Sequence, residues 1–333
     1  MSERSVVGVN PWLPSFLARF AWWTEPVRAE RLASLRIGVA AVLLLDIFGH
    51  YLPWATDFLG PGSLGATEVF PPMSGDRYYV WSLFRGVESP AAWHGIFALW
   101  ILSAMLLLAG AGTRVAAAAA WALGVSVCNS NPHLVNSGDN VRNTLLFYLM
   151  LCPCGAVWSV DHWLAHRRER ASGTVFVYPW ALRLLFVQLT VLYFMSGLFK
   201  RNSPDWPKGT AMYYHLANLA WTRLPFEQLP FAQLLALVAN WVTLIWELAF
   251  PLLVFLAWTR TATLWLGVLF HLGTAFLFQL GPFPFYMLCF YLPLVPWERY
   301  MGPRSPQDIG GQQVAVSAPA ELPGYPAPPK PAS

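Results

Sequence analysis

Charge is what this sequence has least of. Asp, Glu, Lys and Arg together make up 11% of its 333 residues, where a soluble domain carries about 25%. With 56% hydrophobic residues, that shortage excludes a water-soluble globular domain and implies an integral membrane protein. Cysteine is scarce too. Cys128, Cys152, Cys154 and Cys289 each fall within or at the end of an apolar segment, which excludes a disulfide framework. Cys152-Pro153-Cys154 has no further cysteine or histidine nearby to complete a metal site, so it reads as packing, and no metal is expected. The net charge of +4 is too small for a nucleic-acid footprint. Residues 1–31 lack an apolar core followed by a small-residue cleavage site, so no signal peptide is expected.

Long apolar runs are abundant, and 18 tryptophans suit interfacial belts. Runs near membrane length are read at residues 32–52, 91–111, 114–130, 142–157, 180–199, 231–257, 262–280 and 283–297. The expectation is therefore an all-α polytopic protein of about eight transmembrane helices. Pro251 is expected to kink or divide the sixth span. The aromatic segment Pro11–Thr24 is too short to cross and is expected to lie in the interface plane.

Residues 1–31 form an N-terminal cytoplasmic or interfacial segment in this reading, and 32–298 the transmembrane domain. Residues 299–333 are expected to be a disordered, Pro/Ala-rich cytoplasmic tail. Arg4, Arg19, Arg28 and Arg31, then Arg167, Arg168 and Arg170, then Arg299 and Arg304 all fall on one side of an eight-span arrangement. The positive-inside rule makes that side cytoplasmic. A multi-pass place in a bacterial inner membrane, with both termini cytoplasmic, follows as the expected location. The connections 53–90, 131–141 and 200–230 are then outside.

Ionisable groups within spans are costly and mark functional positions. Asp46 with His50, Arg142, Glu247 and His271 meet that description. Asp46 and His50 share one helix face and can meet each other, either as a functional pair or as a polar patch reaching water. Glu247 stands four residues before Pro251, where it can satisfy the carbonyl that proline leaves free. His271 is read as a buried histidine with either a core or a catalytic role. In the 131–141 connection Asp139 is read as a helix N-cap with Arg142 as its partner.

Lys200 ends the fifth span on the face where cations are not expected. One reading is a snorkelling helix-end cation. The other starts from Arg201 next to it: like charge and partial desolvation both favour a neutral amine, which can act as a base. Lys200, Asp139, Arg142 and His271 are the candidate catalytic residues. Trp206, Tyr213, Tyr214 and His215 are the candidate walls of a cofactor site on the same face.

These residues carry a resemblance. Arg19-Phe20, Glu25-Pro26, Leu35-Arg-Ile-Gly38, Leu43-Leu-Leu-Asp46, Asn136-Ser-Gly-Asp139 and Trp158-Ser-Val-Asp161 occur in order. They continue into Gln188-Leu-Thr-Val-Leu-Tyr-Phe-Met-Ser-Gly-Leu-Phe-Lys200, Trp206, Gly209, Tyr213, Glu247, Phe250-Pro251 and Phe270-His271. The set resembles the horizontally transferred transmembrane domain (HTTM) family, whose best-known members are the vitamin K-dependent gamma-carboxylases. In those enzymes a lysine at the position matching Lys200 deprotonates reduced vitamin K. The resemblance implies a reduced quinone as cofactor and a secreted peptide, modified at the extracytoplasmic face, as partner and substrate. Where the carboxylases carry a histidine in the loop before the Trp-Ser-Val-Asp segment, this chain has Gly138 and Asp139. Short bacterial members imply an alternative: a non-catalytic membrane factor for maturation or export of a secreted peptide. No nucleic acid is expected as a partner.

Overall fold

Lipid offers backbone groups no hydrogen bonds, so long apolar runs must satisfy their own as helices. The computed structural model describes residues 26–59, 63–64, 81–131, 135–167 and 174–301 and is mostly helical. The expected interfacial segment Pro11–Thr24 lies outside the described residues. Of the tail expected to be disordered over 299–333, residues 299–301 are instead the end of a helix, Trp297–Met301, and 302–333 lie outside the described residues.

Helix α1 (Glu30–Asp46) continues through a π-helical turn at Ile47–Tyr51, a 3-10 turn at Leu52–Trp54 and a last helical turn at Ala55–Phe58. Then come α2 (Pro90–Ala109), α3 (Thr113–Ser130), α4 (Ser137–Leu151) and the short α5 (Val160–His166). Helices α6 (Trp180–Asn202), α7 (Ala211–Ala217), α8 (Ala232–Phe255) and α9 (Ala257–Leu277) follow. The described chain closes with α10 (Phe283–Cys289), a 3-10 turn at Leu292–Leu294 and α11 (Trp297–Met301). One two-stranded antiparallel sheet, β1 (Val27–Arg28) with β2 (Phe176–Val177), ties the start of α1 to the approach to α6.

The protein is an all-α polytopic membrane protein. Among the described residues, four helical stretches are long and apolar enough to cross a bilayer: Glu30–Phe58, Pro90–Ala109, Trp180–Asn202 and Ala232–Phe255. Helices also occupy the other expected spans, with revised limits. The fourth stops at Leu151, before Pro153, and residues 152–159 form turns instead of more helix. The eighth is only Phe283–Cys289 plus a 3-10 turn, in a stretch broken by Pro282, Pro284, Pro293 and Pro296. Pro251 does not divide its helix. The break comes at Leu256, whose extended backbone separates α8 from α9.

Helix α1 is central. Its crossing stretch is 56% buried, against 33% for α2 and for α6, and Leu32, Leu35, Val39, Leu43 and Ile47 line its inward stripe. Between α2 and α3 the chain reverses at Gly110 (φ 75°) and Gly112 (φ 54°), a left-handed geometry that glycine adopts without strain. Asp161 locks that corner by accepting from Gly112 N at 2.7 Å and Thr113 N at 2.9 Å. Burial opposes the charge of Asp161, but those donors and Arg36 outweigh it and hold its carboxyl below the usual range.

Candidate active site at Lys200

Helices α6 and α8 run antiparallel in contact because a glycine lets them. A methyl group at Gly197 would meet Leu248 N at 2.9 Å. Three residues beyond that contact, Lys200 Nζ reaches Glu247 Oε1 and Oε2, each at 2.7 Å, and donates to Ser196 Oγ at 2.7 Å. Glu247 is buried, and the Lys200 side chain is 22% exposed.

Depth sets this pair apart. At 1.5 Å rise per residue, Glu247 lies about 22 Å from the start of α8 and about 12 Å from its end. The first part of α8 carries exposed Leu234, Leu235, Val238, Trp241, Val242 and Ile245, a lipid-facing surface. The Lys200 amine therefore sits within the span of its neighbour, not at the membrane surface. The 200–230 connection folds back along α8 rather than leaving the protein. Asn240 holds it there, donating through Nδ2 to Trp206 O at 3.0 Å and accepting from Met212 N at 3.2 Å. That fold-back buries Trp206, whose ring lies 5.3 Å from Lys200 Nζ.

The expected roles divide accordingly. Glu247 is not a cap for the carbonyl freed by Pro251; it is the partner of Lys200. Lys200 therefore faces this carboxylate as well as the neighbouring Arg201 from which the neutral-amine reading started. His215 stands beside Trp206, with ring centroids 6.3 Å apart. Burial, and then the Lys200 charge, hold its imidazole below the ordinary histidine range. Tyr213 and Tyr214 do not face Lys200. Tyr213 donates to Glu227 Oε1 at 3.1 Å, and Tyr214 is exposed and packs edge-on against Tyr213.

His271 belongs to the interior next to the pair. Its Nε2 meets Tyr193 OH at 2.6 Å, and Tyr193 OH meets Tyr291 OH at 2.6 Å. Tyr193 stacks edge-on with Trp246 at 4.6 Å, and Trp246 packs on Phe270 at 5.4 Å. Among the described residues, two buried polar atoms here have no hydrogen-bond partner: His271 Nδ1 and Trp246 Nε1. Unpaired buried polar atoms are uncommon and ask for a ligand or water.

Asp139 and Arg142 build a separate network. The N-cap of α4 is Asn136; Asp139, the third residue of the helix, closes the capping box by accepting from Asn136 N at 2.8 Å. Arg142 Nη1 donates to Asp139 Oδ1 at 2.8 Å, Asp46 Oδ2 at 3.2 Å and Tyr51 OH at 3.2 Å. Arg142 Nη2 faces Cys128 Sγ at 3.0 Å. Tyr286 donates to Asp46 Oδ2 at 2.9 Å. Lys200 and Arg142 share no hydrogen-bond partner among the described residues. Helix α10 links the two regions, since Tyr286 serves the Arg142 network and Phe283 packs on His271 at 5.9 Å.

Sequence reasoning passed over Tyr193, Tyr291, Trp246, Tyr51 and Tyr286 because a tyrosine or tryptophan in an apolar run reads as packing. Ser196 had a legible signal: it stands four residues before Lys200 on one helix face. Among known families, the HTTM domain model matches residues 73–296. No solved structure matches the chain.

Proposed function

Because this chain belongs to the HTTM domain family, we propose that it is a gamma-carboxylase-like membrane enzyme. It would modify a secreted peptide at the extracytoplasmic face with a reduced quinone as cofactor. The observation that carries this reading is the Lys200–Glu247 pair set within the span, beside aromatic walls and two unpaired buried polar atoms.

A reduced quinone, when bound, supplies acidic hydroxyls and reducing equivalents. Trp246 and Phe270 would lie against its ring, with Trp246 Nε1 and His271 Nδ1 free to donate to or accept from its oxygens. Lys200 handles the proton. In a low-dielectric site an amine with a carboxylic acid avoids the desolvation penalty of two charges. Proton transfer from Lys200 Nζ to a Glu247 oxygen, over 2.7 Å, leaves a free amine. That amine would accept a proton from a hydroxyl of the reduced quinone, leaving Lys200 an ammonium again with Glu247 protonated. Tyr193 orients His271 by occupying its Nε2.

The closed bidentate geometry of the pair favours a second reading, a non-catalytic factor for maturation or export of a secreted peptide, in which Lys200 and Glu247 only hold α6 to α8. Mass spectrometry of co-expressed secreted peptides, with wild-type protein and with Lys200→Arg, separates the two. A mass increase of one carboxyl group on glutamate, present only with wild type, supports the enzyme. Peptide matured without any mass change, and equally by both proteins, supports the factor and ends the enzymatic reading.

A further inference from the structure

The Arg142 network is short of one positive charge while the adjacent His50 is neutral. Two buried carboxyl groups, Asp46 and Asp139, face a single guanidinium. Asp139 is fully engaged: Oδ1 accepts from Arg142 and from Tyr51 OH, and Oδ2 from Asn136 N. Asp46 is engaged only through Oδ2, which takes Arg142 and Tyr286. Its Oδ1 makes no hydrogen bond among the described residues. His50 Nδ1, at 3.7 Å, is beyond hydrogen-bonding reach.

Asp46 also lines a cavity. Asp46, His50, Tyr51, Trp54, Ala55, Phe58, Leu59 and Asn136 enclose about 60 Å³, well above the roughly 10–15 Å³ that one water needs. The cavity sits where α1 gives way to its π-helical and 3-10 turns, a break often found at functional positions. It belongs to the end of the bundle where α6 finishes and α4 and α8 begin. A carboxylate with one oxygen making no hydrogen bond among the described residues, on a residue that lines a cavity, suits a cation.

The walls decide which cation. Calcium takes about 6–8 oxygen ligands and magnesium about six. Here Asp46, Tyr51 and Asn136 are the lining residues with side-chain oxygens, and two of these oxygens are already committed, Tyr51 OH to Asp139 and Asn136 Oδ1 to Gly138 N. The rest of the lining is largely aromatic, with Tyr51, Trp54 and Phe58, and π faces attract organic cations. Trp54 is 55% exposed and stands at the rim.

We propose that this cavity is a binding site for a primary alkylammonium group, such as a lysyl or N-terminal amine, with Asp46 as its counter-charge. The ammonium donates to Asp46 Oδ1, its alkyl chain lies against Trp54 and Phe58, and the network around Arg142 becomes neutral. The site shares no residue with the Lys200 pair, so it stands independently of the proposed reaction.

The test uses the full chain in nanodiscs of uncharged phosphatidylcholine, at mildly alkaline pH. Saturation-transfer NMR follows n-butylammonium, with n-butanol as the neutral control. Saturable binding of the amine without binding of the alcohol is expected. Asp46→Asn should abolish it. Trp54→Ala, at an exposed rim position that leaves the Arg142 network intact, should weaken it roughly 3- to 30-fold, the range of a cation–π contact. If Asp46→Asn fails to fold, Trp54→Ala alone decides. Equal binding of butanol, no saturable amine binding, displacement by an equal concentration of sodium, or undiminished binding in the folded variants would each overturn the proposal. The second of these would mean that a proton fills the deficit.

Discussion

Lys200 Nζ lies 2.7 Å from both carboxylate oxygens of Glu247, a residue 47 positions later on the neighbouring helix. One reading of the sequence makes Lys200 a snorkelling helix-end cation, dispensable to the packing of the helices. The pair reverses that expectation. Lys200→Ala would leave a buried carboxylate without its counter-charge, a loss of about 3–5 kcal/mol where the charge cannot be neutralised. Glu247→Ala should cost a similar amount. The double variant Lys200→Ala/Glu247→Ala should cost less than the sum of the two. Thermal unfolding in detergent measures the cycle, and strict additivity would show that the pair contributes no coupling.

Lys200→Arg keeps the positive charge and the pairing to Glu247 but not the chemistry. A guanidinium stays protonated and accepts no proton at working pH. Turnover should fall by at least about 100-fold, within the 10²–10⁴ range of general acid–base catalysis, while thermal stability changes little. Wild-type turnover in this variant would remove Lys200 as the base and leave Glu247 as the proton acceptor.

Gly197→Ala tests the pair without touching a charged group. The added methyl would meet Leu248 N at 2.9 Å, so α6 and α8 must part. Overpacking of this kind costs about 1–3 kcal/mol. Activity should fall more than stability, because the separation also lengthens the 2.7 Å contact through which Lys200 hands its proton to Glu247. A variant that loses stability but retains full turnover would show that proton transfer does not depend on this spacing.

His215 predicts a pH dependence. Its folded imidazole titrates below the ordinary histidine value, through burial first and Lys200 second. The unfolded chain, near about 6.5, therefore binds the proton more readily than the folded one. Its stabilising contribution is present above that value and is lost as pH falls through the folded value. The thermal midpoint of wild type should drop across this acidic window, and His215→Gln should flatten that part of the profile. An unchanged profile in the variant would assign the acid sensitivity to other groups.

Much of the architecture was legible because lipid imposes it. A run such as Trp180–Asn202 has the length and apolarity to cross, and a backbone in lipid has the helix as its simplest closed form. Limits were less legible where proline intervened. Pro251 sits inside an unbroken helix, while Pro153 and the prolines after Gly281 mark where helix stops or shortens. Residue type also concealed part of the site. Tyr193, Trp246 and Tyr291 resemble ordinary core until their distances to His271 and to one another are known.

By itself the sequence determined that this chain lives in a membrane, that its crossing elements are helical, and that Lys200, Glu247, Arg142, Asp46 and His271 are the positions where a membrane protein carries unusual cost. Those follow from composition and from the energy of charge in hydrocarbon, which are local properties. Which charge meets which was decided by tertiary structure alone. Lys200 pairs with Glu247 because Gly197 lets two helices touch, and Arg142 pairs with Asp46, 96 residues away, because α1 and α4 pack together. Depth was decided the same way: a connection expected in water folds back along α8 and buries Trp206 over the lysine. Pairing between distant residues is a property of packing, and an unaligned sequence carries no record of it.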